Sequence, residues 1–352
     1  MAVTIPKDKV KKVCYILGAS RERSPRATKI AHVFNASIID CPSKWRRYST
    51  FPILLPIRLL FSSYDVLIVN NIPTHILCSA WFASKFRRFV LVADFVNFWT
   101  YAVRKKFRFL SGIASWLENW IYRRVRHALA INELVAESAR TAGVRDVQVI
   151  RDAADHEQFT PSFNSNPIVV LAANLRRDEG VDIFLRAMKT VKDQMPTVKC
   201  LLAGAGEEDG HLKKLASDLG LSSQVDFLGW IAHSELPMVY HRASIGVVPM
   251  RLVSPLALPI KLFEYMSSGL AVISTDTPAI KTIIEDGKNG MLFPSGDSNA
   301  LASLIIKVLL DKNLRARLQK AARNTVEDGL NWKSEAKKLN SYLDKILSET
   351  DV

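Results

Sequence analysis

The chain has 352 residues, of which 48% are hydrophobic and 23% are charged. At about 100–200 residues per domain, this length predicts two domains, and the apolar content is sufficient for two ordinary cores. With 15 Gly and 15 Pro, the composition excludes a disordered or fibrous chain. The four cysteines lie far apart without a C-x-x-C pair, which argues against a disulfide framework or a zinc knuckle and favours a reducing cytosol.

The excess positive charge lies almost entirely in the first half of the chain. Residues 1–163 contain 25 Lys and Arg against 12 Asp and Glu, a net charge of +13, whereas residues 164–352 contain 23 against 22, a net charge of +1. This excess favours a polyanionic partner, either nucleic acid or an anionic membrane surface. Because no motif for reading nucleic acid is recognisable, we expect the partner not to be a nucleic acid.

Short apolar runs alternate with longer helical patterns in both halves. Continuous apolar runs between helices are typical of parallel strands covered on both faces, so each half predicts a doubly wound α/β domain. The predicted strands are Val13–Leu17, Ala36–Ile39, Val66–Asn70, Phe89–Ala93, Ala128–Asn132, Val147–Ile150, Ile168–Ala172, Val198–Ala203, Gln224–Leu228, Ile245–Pro249, Ala271–Thr275 and Gly290–Phe293. A Pro-, Ser- and Asn-rich linker at Phe159–Pro167 then predicts domains over residues 1–163 and 164–330 and a C-terminal helix over 331–352.

Residues at the carboxyl ends of these strands are candidates for the site, because ligands of open α/β sheets bind there. Gly18 follows the first strand and would let the backbone approach a phosphate, with an ordinary turn as the alternative. Asp94 follows the fourth strand, where a carboxylate could act on an acceptor hydroxyl or cap a helix. Gly204 and Gly206 follow a strand of the second half, but GAGEEDG departs from the dinucleotide fingerprint and favours a tight turn into a helix.

Two apolar stretches, Phe51–Phe61 and Ile76–Ser84, stand out in the first half. Neither approaches the ~18 uninterrupted apolar residues that a spanning helix needs, and residues 1–12 do not resemble a secretory signal. We therefore expect a cytoplasmic protein with no segment that crosses a membrane.

Aromatic and basic residues are mixed between residues 95 and 127. Large rings beside Lys and Arg are typical of a surface that lies at the headgroup level of a membrane, and the alternative is a solvated basic face over a buried aromatic one. The membrane interpretation predicts a protein bound peripherally to an anionic inner membrane face. Its predicted membrane-facing residues are Trp99, Arg104, Lys105, Lys106, Arg108, Trp116, Trp120, Arg123 and Arg124.

The segment Leu258–Glu285 has the pattern that points most directly to a ligand. Pro259 suits the first turn of a short helix, and Gly269 suits its left-handed exit. The helix amino terminus would present unpaired N–H groups to a phosphate, and Lys261 would add a full charge. Glu264 lies on the same face and could accept hydrogen bonds from ribose hydroxyls. These residues predict a nucleoside-diphosphate site, and the alternative is an amphipathic helix with a surface Lys–Glu pair.

This segment resembles the donor-site signature of retaining glycosyltransferases of the GT-B fold, in particular glycosyltransferase family 4. In that signature a Glu followed by Tyr-Met/Leu-x-x-Gly-x-x-Val-Ile holds the donor ribose, a role that the resemblance gives to Glu264. It implies two Rossmann-like domains with a cleft between them and a C-terminal helix that packs back. Further similar segments are Val149–Pro161, Val169–Ala187, Cys200–Gly206, Val225–Gly229, Leu236–Tyr240, Asp286–Phe293 and Asn331–Lys338.

Three positions depart from the family pattern. Leu256 stands where the family has the first of two acids, and Asn174 and Glu179 stand where its phosphate loop has Arg and Lys. These departures favour a second hypothesis, a non-catalytic binding or scaffolding subunit with the same fold. The missing charge could come instead from Arg176, Arg177, Arg251 or Lys261.

The residues and the resemblance together predict a retaining, hexosyltransferase-type enzyme. Its donor would be a UDP- or GDP-sugar, its acceptor a polyprenyl-linked or other lipid-linked glycan, and the resemblance implies no metal or other cofactor. Asp94 is the predicted catalytic residue. The predicted donor-binding residues are Gly18, Asn174, Arg176, Arg177, Gly204, Gly206, Arg251, Pro259, Ile260, Lys261, Leu262 and Glu264.

Overall fold

The computed structural model describes residues 12–18, 24–41, 50–71, 73–96, 98, 111–251 and 256–349. The chain divides into two compact units. The first unit consists of Met1–Arg151 together with Glu335–Val352, and the second consists of Asp152–Ser334. The junction therefore lies on the amino-terminal side of the Pro-, Ser- and Asn-rich stretch.

The first unit is built on a parallel six-stranded sheet. Its strands are β1 (Val13–Ile16), β2 (Ser37–Ile39), β3 (Val66–Asn70), β4 (Val90–Phe95), β5 (His127–Ala130) and β6 (Asp146–Val149). Its helices are α1 (Pro25–Phe34), α2 (Thr50–Leu60), α3 (Thr74–Ala83), α4 (Ser111–Tyr122) and α5 (Glu133–Thr141). The spatial order is β2-β1-β3-β4-β5-β6, so the direction of winding reverses between β1 and β3.

The second unit has a parallel six-stranded sheet of its own. Its strands are β7 (Ile168–Ala172), β8 (Lys199–Ala203), β9 (Val225–Gly229), β10 (Ile245–Val248), β11 (Ala271–Thr275) and β12 (Met291–Phe293). Its helices are α6 (Val181–Gln194), α7 (Asp209–Asp218), α8 (Leu236–Tyr240), α9 (Ile260–Ser267), α10 (Pro278–Lys281), α11 (Ser298–Leu310) and α12 (Lys312–Glu327). The order β12-β11-β10-β7-β8-β9 is that of a Rossmann sheet, whose switch point lies between β7 and β10.

All the predicted strands are confirmed, with ends that differ by no more than two residues. The agreement has a simple cause, because helices on both faces bury every side chain of a central parallel strand. Strands β1, β10 and β11 are buried at every position. The doubly wound α/β class predicted for both halves is confirmed.

The last helix, α13 (Trp332–Ser348), has the apolar spacing that the sequence predicts. From Glu335 onward it belongs to the first unit. The Glu335 carboxylate accepts a hydrogen bond from the Arg151 backbone N–H at 3.0 Å, and the Tyr342 hydroxyl donates to the Asp146 carbonyl at 3.2 Å. The carboxyl-terminal helix therefore packs back on the amino-terminal sheet.

Candidate active site

The two loops at the switch point of the second sheet touch each other through their backbones. The Arg251 N–H, just after β10, donates to the Asp178 carbonyl in the loop after β7 at 3.0 Å. Gly180 has a φ of +70°, and a Cβ there would lie 1.9 Å from the Pro249 carbonyl oxygen. Only glycine permits this approach, which brings the loops after β7 and β10 together beyond the carboxyl ends of the strands.

A pocket of about 350 Å³ opens at this junction. Three predicted donor-binding residues, Arg176, Arg177 and Arg251, line it. The other lining residues are Val181, Asp182, Glu208, His211 and Leu212. The sequence had suggested these arginines as substitutes for the missing cations of the phosphate loop, and the fold brings all three to one pocket.

Three of the four cations around this pocket, Arg176, Arg251 and Lys261, are paired with acids from one short segment. Lys261 Nζ lies 2.6 Å from Glu179 Oε2, and both side chains are about nine-tenths buried. The Arg251 guanidinium pairs with the Asp182 carboxylate, and the exposed Arg176 pairs with Asp178 at 3.0 Å. Within the described part of the chain, Arg177 makes no ion pair. Most of the positive charge at the pocket is therefore compensated within the unit itself.

Helix α9 is held against the switch point by Tyr265. The Ala172 N–H, at the end of β7, donates to the Tyr265 hydroxyl at 2.7 Å. The Tyr265 ring covers Gly246 of β10, where a Cβ would lie 2.6 Å from the ring. The helix ends as predicted, because Gly269 has a φ of +69°. These contacts fix the helix that carries both Lys261 and Glu264.

Helix α9 begins at Ile260, one residue later than the sequence pattern predicts from Pro259. Pro259 is the N-cap residue rather than part of the first turn, and its side chain has no oxygen to accept from the first amides. The Leu262 N–H bonds to the Pro259 carbonyl at 3.1 Å, and the Leu262 side chain is buried. The first-turn N–H groups of Ile260 and Lys261 thus receive no side-chain cap from Pro259. A helix terminus that binds an anion requires such N–H groups to be left without a side-chain cap.

The Glu264 carboxylate is buried but surrounded by polar partners. Its Oε1 lies 2.8 Å from His233 Nε2, and its Oε2 accepts a hydrogen bond from the Tyr240 hydroxyl at 3.0 Å. Burial and, second, the Glu264 charge raise the pKa of Tyr240 well above its usual value, so its hydroxyl remains a donor. Glu264 itself is 2% exposed, whereas the His233 side chain is 48% exposed. The carboxylate is therefore covered by protein, and the His233 side chain that contacts it is half-exposed.

Gly204 and Gly206 have a packing function that explains their positions. A Cβ at Gly204 would lie 1.8 Å from the Ala173 carbonyl oxygen, and one at Gly206 would lie 2.4 Å from the Leu175 carbonyl oxygen. The loop after β8 therefore rests directly on the loop after β7. Asn174, between these contacts, is exposed. The turn interpretation of the glycines is consistent with this geometry, and their role toward a donor stays a prediction.

In the first unit, Asp94 lies at the carboxyl end of β4 and is completely buried. Arg26 of α1 donates from Nη2 to Asp94 Oδ1 at 2.7 Å and from Nε to Oδ2 at 2.9 Å, and the Tyr15 hydroxyl also donates to Oδ2. Burial and, second, the Asp94 charge raise the pKa of Tyr15 well above its usual value. Asp94 is neither exposed nor a helix N-cap in this arrangement, and its catalytic role stays a prediction. Gly18 follows β1 and is buried.

The predicted membrane-facing residues are described in part. Trp116 is exposed, and Trp120 packs edge-on against Trp81 with 5.1 Å between ring centroids. Arg123 and Arg124 are exposed, and the Arg124 guanidinium lies 4.2 Å from the Trp120 ring. No helix within the described ranges has the length and hydropathy to cross a membrane. Trp99, Arg104, Lys105, Lys106 and Arg108 lie outside the described residues.

Comparison with solved structures identifies the class of fold. Sucrose-phosphate synthase from Thermosynechococcus elongatus is similar with a TM-score of 0.80 at 15% identity, over 96% of this chain and 100% of that one. HepE from Anabaena, solved in complex with UDP-glucose, is similar with a TM-score of 0.75 at 18% identity, over 95% of this chain and 99% of that one. With its two parallel α/β units, the protein has the GT-B fold.

Sequence comparison then identifies the family. Residues 152–325 match the family described as Glycosyl transferases group 1. The chain is 25% identical over 228 residues to the GDP-mannose-dependent alpha-(1-6)-phosphatidylinositol monomannoside mannosyltransferase of Mycolicibacterium smegmatis, across 63% of this chain and 60% of that protein. The second unit of this chain therefore belongs to the glycosyl transferase group 1 family.

The residues that pair with the predicted site were not found by sequence reasoning. His233 and Tyr240 contact Glu264, and Asp182 contacts Arg251, yet none of the three was a candidate. Each of these residues is 24 to 69 positions away in the chain from the residue that it contacts, so no helical or strand periodicity relates the two. The available signal was indirect: His233 follows β9 and Asp182 lies in the first turn of α6, both in a unit whose ligands are expected at one edge of the sheet. Tyr240, the last residue of α8, carried no such signal.

Proposed function

We propose that this protein is a retaining glycosyltransferase that transfers a hexosyl group from a UDP- or GDP-sugar. The observation that carries the proposal is helix α9, which lies beside the switch point of the second sheet and carries Lys261 and Glu264. Its amino terminus receives no side-chain cap from the N-cap residue Pro259. A helix amino terminus with an adjacent cation suits a diphosphate, and a carboxylate beyond it suits the vicinal hydroxyls of ribose.

In the proposed reaction, the bond between the anomeric carbon and the diphosphate oxygen breaks, and the acceptor oxygen bonds to that carbon on the same face. The acceptor proton passes to the departing diphosphate. The first-turn amides of α9, Lys261 and the pocket arginines would stabilise the charge that develops on the diphosphate. The proposal assigns this compensation to groups of the protein, and it includes no metal or other cofactor.

The proposed acceptor is a lipid-linked glycan at the cytoplasmic face of an anionic membrane. The net charge of +13 on residues 1–163 supports an anionic partner for the first half of the chain, most of which belongs to the first unit. The similar protein from Mycolicibacterium smegmatis is named for a phosphatidylinositol monomannoside acceptor, which is a lipid. A lipid acceptor requires the enzyme to work at a membrane surface, which agrees with this charge.

A non-catalytic binding or scaffolding subunit is the second candidate. The Glu179–Lys261, Asp182–Arg251 and Asp178–Arg176 pairs favour it, because they neutralise cations that a diphosphate would use.

A panel of nucleotide sugars separates these two candidates. We expect the thermal unfolding temperature to rise with one UDP- or GDP-sugar, and free nucleotide to be released when that donor is incubated with a lipid-linked acceptor. Binding without release, for every donor and acceptor in the panel, would support a non-catalytic binding subunit. The absence of any nucleotide-dependent shift would contradict the glycosyltransferase and favour a scaffolding subunit, whose paired cations do not bind a diphosphate.

The Glu179–Lys261 pair makes a further prediction about affinity. Glu179→Gln removes the carboxylate that competes with phosphate for Lys261, so we expect UDP or GDP to bind about tenfold more tightly. Isothermal titration calorimetry measures this change. Glu285→Gln is the matched control, because Glu285 is an exposed, Lys-paired acid of the same unit. Unchanged or weaker binding by Glu179→Gln would contradict the competition.

A further inference from the structure

The first unit exposes an unusual number of large apolar side chains on three helices. Nine of the thirteen such side chains that are exposed among the described residues lie on or immediately beside α2, α3 and α4. They are Ile53, Leu54, Ile57, Leu60, Phe61, Phe82, Phe86, Ile113 and Trp116. We call this set the apolar face. Clusters of this kind mark interaction surfaces, whereas single exposed apolar residues are ordinary.

Helix α2 shows the feature most clearly. Its buried residues are Leu55 and Leu59, which form the side toward the protein. The opposite side is also apolar, with Ile53 69% exposed and Phe61, just beyond the helix, 88% exposed. A surface helix of a globular protein normally has charged or polar residues on that outer side. The outer side of α2 is therefore suited to an apolar environment.

The three helices that carry the apolar face are adjacent. Helix α3 packs against both α2 and α4. The Arg87 side chain, just after α3, donates to the Leu60 carbonyl at the end of α2 at 3.4 Å. On the other side, the Trp81 ring of α3 contacts the Trp120 ring of α4. The exposed residues of the three helices thus belong to one layer over the first sheet.

Basic residues border the apolar face, and exposed acids are absent from its helices. The exposed cations on or next to these helices are Arg58, Lys85, Arg88, Arg123 and Arg124. Helices α2 and α3 contain no acid, and the one acid of α4, Glu118, is buried and accepts a hydrogen bond from Tyr122. Lys85 lies 4.7 Å from the Trp81 ring centroid, so cation and ring form one amphipathic edge.

We propose that the apolar face is the surface by which this protein enters the headgroup region of an anionic bilayer. Exposed aliphatic and aromatic side chains would lie at the acyl boundary, while the surrounding cations contact anionic lipid. A second copy of the chain fits less well, because a symmetric contact would bring like charges together. The inference rests on the membrane association proposed above and is independent of the transfer reaction.

Vesicle co-sedimentation of the full chain, without donor or acceptor, tests this surface. We expect binding to vesicles with about 30 mol% phosphatidylglycerol in phosphatidylcholine, and about tenfold weaker binding to phosphatidylcholine alone. Replacing Ile57, Phe61 and Phe86 together with Ser is expected to weaken binding to the anionic vesicles about tenfold or more. These side chains are exposed, so thermal unfolding should be nearly unchanged.

Two further variants complete the test. Replacing Arg58, Lys85 and Arg88 with Ser should reduce binding to anionic vesicles and remove most of its salt dependence up to about 0.5 M NaCl. In the matched control variant, Met238 and Leu310, exposed apolar residues of the second unit, are replaced with Ser. This variant should bind anionic vesicles as the parent chain does. Equal binding by the Ile57, Phe61 and Phe86 variant would overturn the proposal. So would a parent chain that does not bind vesicles but forms a dimer that this variant dissociates.

Discussion

Replacing Glu264 with Ala is expected to weaken UDP or GDP binding by about tenfold to a hundredfold. The carboxylate is the group that would accept hydrogen bonds from the ribose, and bonds to a charged acceptor contribute about 1.5–3 kcal/mol each. Among the described residues, His233 contacts one oxygen of Glu264 and Tyr240 donates to the other, and a carboxylate oxygen can accept two hydrogen bonds. Titration calorimetry with UDP and GDP measures the loss.

The stability of the variant has to be measured separately from its affinity. Glu264→Ala leaves the buried Tyr240 hydroxyl without its acceptor, which we expect to lower the free energy of unfolding by about 1–3 kcal/mol. Glu264→Gln keeps one carbonyl acceptor and should bind nucleotide with intermediate affinity. Glu285→Ala, at an exposed acid of the same unit, is the control for a general loss of charge. If folded Glu264→Ala binds nucleotide as tightly as the parent chain, Glu264 does not contact the ribose.

Asp94→Ala is expected to lower the free energy of unfolding of the first unit by about 3–5 kcal/mol. The change removes the carboxylate that accepts hydrogen bonds from the buried Arg26 guanidinium and from the Tyr15 hydroxyl. Denaturant unfolding, monitored by hydrogen exchange of backbone amides in the first unit, measures the loss of unfolding free energy. Asp344→Ala, at an exposed acid of α13 in the same unit, should change stability little.

The same position distinguishes a packing role from a catalytic one. Combining Asp94→Leu with Arg26→Met removes both charges, so the pair should be less destabilising than Asp94→Ala alone. A catalytic Asp94 predicts the opposite pattern, in which Asp94→Asn abolishes sugar transfer while the unfolding free energy stays near that of the parent chain. Unchanged stability of Asp94→Ala would contradict the buried ion pair as a source of stability.

The cations of the candidate site show how far local patterns reach. The sequence indicated Arg176, Arg177, Arg251 and Lys261 as substitutes for missing family cations, and the switch-point topology accounts for the meeting of the three arginines. The sequence did not indicate that Glu179 pairs with Lys261, because the two residues are 82 positions apart in the chain. In the structure, Lys261 Nζ lies 2.6 Å from Glu179 Oε2. That pair depends on which strands are neighbours in the sheet, and strand order is absent from local periodicity.

Strand positions, helix α9 and the doubly wound class follow from short-range features of the chain, namely apolar runs of strand length, Gly269 at a left-handed position and the apolar spacing of α13. These features act over a few residues, so each can be recognised from its own segment. Packing between segments that are distant in the chain decides the partners of Asp94 and Glu264. It also decides the exposure of the outer side of α2. An apolar residue contributes the same letter to a sequence pattern whether a neighbouring helix or solvent covers its side chain. An Asp or Glu in the sequence likewise does not show whether its carboxylate faces a ligand or an arginine. Long-range contacts make that distinction, because burial and pairing are properties of the assembled layers.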